Sequence, residues 1–99
     1  MILEQAILPV KPGQGPAFEQ ALREALPLIQ ATPGFVKLEV RDCIEMPGQY
    51  LLLVWWETLE NHTVDFRESP AFLEWRGIVG PFFAQPPQVE HFELLARSA

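Results

Sequence analysis

The stretch LLLVWWETLENHTVDF, residues 51–66, sets two tryptophans side by side at the end of an apolar run, with a histidine shortly after them. In a strand, successive side chains point to opposite faces, so Trp55 and Trp56 cannot share one hydrophobic core. Extended back to Tyr50, the run places Leu52, Val54 and Trp56 opposite Leu51, Leu53 and Trp55, apolar on both sides. Such a strand belongs in the middle of a sheet with both faces covered. Helices are expected over one face and a second copy of the chain over the other, because a large uncovered aromatic face invites aggregation.

The flanking segments supply the layers. Residues 2–10 alternate, with Ile2, Ala6, Leu8 and Val10 against Leu3, Gln5 and Ile7, and the turn KPGQGP stops them. Phe18, Leu22, Ala25, Leu26 and Ile29 fall at helical spacing after Pro16, and TPG at 32–34 closes that helix. Pro27 predicts a kink or an early end, since it removes one helical hydrogen bond. FVKLEVRDCIE, residues 35–45, reads as an edge strand, with Val36, Leu38, Val40 and Ile44 on its apolar face and Lys37, Glu39, Arg41 and Cys43 on its wet one. Thr58 caps a short helix whose face carries Leu59, His62 and Phe66, and Ser69-Pro70 starts another carrying Phe72, Trp75, Val79 and Phe82. PPQVEHFELLA is the last strand, with Val89, His91 and Glu93 on one face. The order strand, helix, strand, strand, helix, strand implies an α+β fold: a ferredoxin-like βαββαβ sandwich with an antiparallel four-stranded sheet, in one domain spanning residues 1–99.

Composition narrows the function classes. A net charge of −6, with basic residues scattered rather than clustered, disfavours nucleic acid as a partner. No apolar run approaches the roughly 20 residues that span a bilayer, and no basic region precedes an apolar segment at the N-terminus. The expectation is a cytoplasmic protein without a membrane partner. Cys43 is the single cysteine, so no internal disulfide forms, and nothing near it in sequence activates a thiolate.

The segment WWETLENHTVDFRESPAFLEWRGIVGPFFAQPPQVEHFE resembles the antibiotic biosynthesis monooxygenase family in its strand-ending Trp, the SP-x-F start of a helix, the Trp that follows, and a final strand after prolines. The resemblance implies a dimeric α/β barrel of ferredoxin-like subunits. It also implies one of several activities: oxygenation of quinols or polyketide phenols without metal or flavin, or breakdown of haem. The haem-degrading branch carries a Trp in a DW-x-x-S segment, a His ten residues later and an Asn on the first strand. Here DFRESPAFLEWR puts Phe66 and Arg76 at those two positions, and the first strand offers Gln5 or Ala6. A permanently charged Arg cannot ligate haem iron, so that branch is disfavoured, and the oxygenase activity that the resemblance otherwise implies needs no cofactor.

Candidate site residues follow. His62, on an inward helix face, is the first choice as a base that takes a phenolic proton, and His91 is the second. Either can equally be a structural histidine bonded to the backbone or to a carboxylate. Trp56, Phe66, Phe72 and Trp75 offer flat walls to an aromatic substrate, or simply pack the core. Arg76, beside Trp75, can hold a substrate oxygen anion or stand as a surface cation. His62, His91 and Asp65 or Glu93 lack the local spacing of a metal site, and none is expected. The sequence therefore leads to a cofactor-independent monooxygenase of a small aromatic, with a non-catalytic ligand-binding or structural dimer as the alternative.

Overall fold

The computed structural model describes residues 1–98. Strands β1 (Ile2–Pro9), β2 (Phe35–Asp42), β3 (Gln49–Trp56) and β4 (Gln88–Glu93) form one antiparallel sheet in the order β2-β3-β1-β4. Helices α1 (Gly15–Gln30) and α2 (Pro70–Val79) cover one face of it, and a π-helical turn, Asn61–Phe66, lies between β3 and α2. This is the ferredoxin-like arrangement, with the apolar strand β3 in the interior of the sheet and β2 at its edge.

Alternation decides which tryptophan is buried. Tyr50, Leu52, Val54 and Trp56 are sealed beneath the helices, while Leu51, Leu53 and Trp55 are half-buried on the opposite face. There Trp55 is covered in part by the Lys37 ammonium, 4.3 Å from its ring centre. Leu3, Ile7 and Phe92 share that outward face with it by register.

Three local features depart from simple periodicity. In β2 the register jumps between Phe35 and Lys37, so Val36 sits in a bulge and is exposed, leaving Phe35, Leu38 and Val40 as the strand's packed residues. Ile44 lies beyond the strand's end and is almost fully exposed. Helix α1 runs through Pro27 to Gln30 without stopping early. The proline is exposed near the last turn, and the carbonyl it leaves without a helical partner belongs to exposed Arg23, where water can satisfy it. Strand β4 ends at Glu93, and Leu94 and Leu95 project into solvent.

The turn that carries His62 is pinned at its start. Thr58 Oγ1 accepts the Asn61 N–H, and Asn61 Oδ1 accepts the Thr58 N–H at 2.9 Å, a reciprocal cap. Gly34 has φ +84°, and a Cβ there would collide with the Asn61 side chain, so the glycine also makes room for this cap. Beyond it the helix widens: the Arg67 N–H bonds the His62 carbonyl five residues back. Widening keeps His62 and Phe66 inward and turns Leu59 out, against the expectation that all three share a face.

Candidate active site

A cavity of about 590 Å³ opens between the sheet's covered face and α2, with the loop at residues 80–87 along one side. Its wall is mostly apolar. That loop is tied to the end of β1 by the Lys11 N–H to Phe82 carbonyl and Ala84 N–H to Pro9 carbonyl bonds, at 2.9 and 2.8 Å.

At one end of the cavity the sheet register assembles a polar cluster. Glu4 on β1 lies directly across from His91 on β4, and both point toward the helix side. His62 comes down onto them from the π-helical turn. Its Nδ1 is 2.7 Å from His91 Nε2, and its Nε2 is 3.4 Å from Glu4 Oε1. The same oxygen accepts the Trp56 Nε1–H at 3.0 Å. Trp56 stacks on His62 at 5.7 Å between ring centres, and Phe66 lies against the His62 ring at 6.2 Å. Two aromatic rings thus fix the imidazole plane while polar partners engage its nitrogens.

Burial sets the charge of this cluster. It pushes the Glu4 carboxyl up from 4.5 to about 7, against the opposing pull of the Trp56 hydrogen bond and the Arg67 charge. It drives His62 down to about 3, helped by Arg67 and His91, and lowers His91 as well. At neutral pH both histidines are neutral, and Glu4 is near its midpoint.

The expected residues are partly gathered here. His62, Phe66, Phe72, Trp75 and Arg76 line the cavity. Trp56 is fully buried and His91 stands beyond His62, so these two reach the cavity only through their partners. Sequence reasoning passed over Glu4 and Arg67, which also line it. The signal for Glu4 was the alternation of β1 itself: Ile2, Ala6 and Leu8 are in phase with residue 4. Arg67 and Arg76 flank Phe72, their guanidinium carbons 5.9 and 6.0 Å from its ring centre. Neither has a carboxylate within ion-pair distance among the described residues.

Among the described residues no group of three or more His, Cys, Asp or Glu side chains is arranged to hold a metal ion, and no helix is long and apolar enough to cross a membrane. His62 and His91 face each other at hydrogen-bond distance, which leaves no space for an ion between them.

Comparison with known proteins agrees with this architecture. A Bordetella bronchiseptica protein that carries the name antibiotic biosynthesis monooxygenase superposes with a TM-score of 0.92 at 43% identity, covering 96% of this chain and 97% of that one. The uncharacterized protein YczJ of Bacillus subtilis is 42% identical over 93 residues, which is 94% of this chain and 98% of YczJ. SnoaB, a cofactor-independent oxygenase from Streptomyces nogalater solved as a mutant, shares the fold with a TM-score of 0.79 at 15% identity, covering 99% and 94% of the two chains. The family model for antibiotic biosynthesis monooxygenase matches residues 1–78, from β1 with Glu4 to α2 with Arg76, and the chain belongs to that family.

Proposed function

We propose that the cavity binds a small aromatic substrate, a quinol or a polyketide-like phenol, and that the protein is a cofactor-independent monooxygenase. The observation that carries this reading is the union, in one cavity, of aromatic walls, a buried proton-handling cluster and two arginines without a carboxylate partner among the described residues. Phe66, Phe72 and Trp75 would contact the ring, with Trp56 supporting them from behind. Arg76 would hold the oxygen anion, and His62 with His91 would belong to the proton-accepting cluster. Loss of a phenolic proton makes the substrate electron-rich enough to give one electron to dioxygen. The resulting radical pair combines into a peroxide, whose O–O bond breaks as a proton returns. One oxygen atom stays on the substrate as a carbonyl and the other leaves as water, so the substrate itself supplies the electrons.

The test is oxygen consumption by chelator-treated protein over a panel of quinols and polycyclic phenols, with His62→Ala measured in parallel. Uptake is expected to survive the chelator and to fall at least about tenfold in the variant, as loss of a proton-handling group generally costs that much or more. Uptake no faster than buffer would instead favour the second reading, a ligand-binding dimer. The observation on that side is that both nitrogens of His62 already face internal partners.

The outward sheet face supports the further proposal of a homodimer. Leu51, Leu53 and Trp55 form its half-buried centre, while charged Lys37, Glu39 and Arg41 line its β2 edge. Trp55→Glu should convert a dimer into a monomer in light scattering, because it buries a charge at the centre of the seam. A single-chain mass for the wild type would refute the dimer.

A further inference from the structure

Glu4 is the one acidic side chain on the cavity wall among the described residues, and its two oxygens have different surroundings. Oε1 faces Trp56 and His62. Oε2 accepts no hydrogen bond from any described residue, and it is not a sealed, unsatisfied atom, so it opens to the cavity. A carboxyl group held through one oxygen and presenting the other is placed to exchange a proton with a bound ligand.

The histidines explain how it is held. When Glu4 is ionised, His62 must turn an N–H rather than a lone pair toward Oε1, so the proton of its neutral ring sits on Nε2. Its Nδ1 is then bare and accepts the His91 Nε2–H at 2.7 Å. His91 in this way selects the tautomer of His62, and neither nitrogen of His62 is left to receive a proton from the cavity.

We infer that Glu4 Oε2 is the atom that exchanges a proton with a phenolic ligand, while His62 and His91 are positioning residues that hold Oε1; this rests on the cavity being a phenol site. In the step, the ligand O–H bond breaks, an Oε2–H bond forms, and the negative charge passes from the carboxylate to the phenolate oxygen. No electron moves, and the reverse step returns the proton. The groups around Glu4 suit this exchange from each element packed on it. Trp56 on β3 donates, neutral His91 on β4 and neutral His62 above carry no competing charge, and Arg67 and Arg76 offer cationic surroundings to the anion that results. A carboxyl raised to about 7 by burial is poised to give and take a proton near neutrality, whereas His62 at about 3 is a poor acceptor.

The probe is 4-nitrophenol, and the readout is the number of protons taken up when its anion binds, measured by calorimetry in buffers of different ionisation heat above about pH 8. Two anions sharing one site must take one proton from solution, so the wild type should take up close to one per ligand bound. Glu4→Gln, which keeps an oxygen for Trp56, should bind the probe with no uptake. His62→Asn should keep most of it. The Trp56 indole N–H resonance reports folding in each protein, and if His62→Asn does not fold, the Glu4→Gln arm decides alone. Uptake that persists in Glu4→Gln, or binding to the wild type without uptake, overturns the assignment while leaving the phenol site standing. Failure of all the folded proteins to bind phenols of any kind would instead overturn the phenol-site reading, and the inference with it.

Discussion

Trp56→Ala is expected to destabilise the protein by about 3–5 kcal/mol, the range for emptying a fully buried aromatic site. The residue is wholly buried, stacks on His62 and donates to Glu4, so the substitution both opens a cavity and leaves a buried carboxyl without its donor. For a domain whose total stability is of order 5–15 kcal/mol, such a loss removes about a fifth of it or more. Trp56→Phe separates the two contributions. It keeps most of the ring packing and loses only the N–H, so its cost should be nearer 1–3 kcal/mol, the range for an unsatisfied buried acceptor. Urea denaturation of the three proteins checks both. If Trp56→Phe is as unstable as Trp56→Ala, the Glu4 hydrogen bond rather than packing anchors this end of β3; if neither variant is destabilised by more than about 1 kcal/mol, the site is not packed as described.

The pairing of adjacent tryptophans shows how far the sequence could be read. Period-two alternation put Trp55 and Trp56 on opposite faces without any long-range information, and the structure agrees, with Trp56 sealed beneath the helices and Trp55 on the outward face. The same arithmetic on β1 puts residue 4 inward, but a search for apolar positions skips a glutamate, so the central acid of the site was missed. The alternation of β4 puts His91 on one face with Val89 and Glu93, a face that could equally have met the cavity or the dimer seam, and the structure turns it inward. That it meets Glu4 depends on the register between β1 and β4, which lie at opposite ends of the chain and are joined by no hairpin whose turn could set it. Leu59 was misplaced for a different reason. The 3.6-residue period fails once the helix widens at His62, and no residue type between Asn61 and Phe66 announces a π-turn. Hydrophobic pattern therefore foretold the layers and the aromatic wall, while the polar cluster arose from register and a local widening that pattern does not encode.

Glu4→Gln is expected to make the protein more stable above pH 7, by about 3–4 kcal/mol. Burial raises the carboxyl from 4.5 to about 7, so between those values the folded protein binds more protons than the unfolded chain, and stability falls as pH rises through that window. At about 1.4 kcal/mol per pH unit, the gap gives the stated figure. His62 acts with the opposite sign. Its pKa is lowered to about 3, so the stability linked to it is complete above 6.5 and is lost as pH falls toward 3, and His91 contributes in the same direction. The wild-type curve should therefore rise from acid to about pH 4.5, run nearly level, and decline toward 7 as Glu4 ionises. The glutamine variant loses the decline and keeps the rise. Urea unfolding at fixed pH steps between about 3 and 9 measures both curves, and parallel curves through the neutral range would show that Glu4 titrates normally in the folded state. A carboxylate retained in a cavity where it costs this much, when an isosteric amide would relieve it, is what selection for proton transfer rather than for stability would keep.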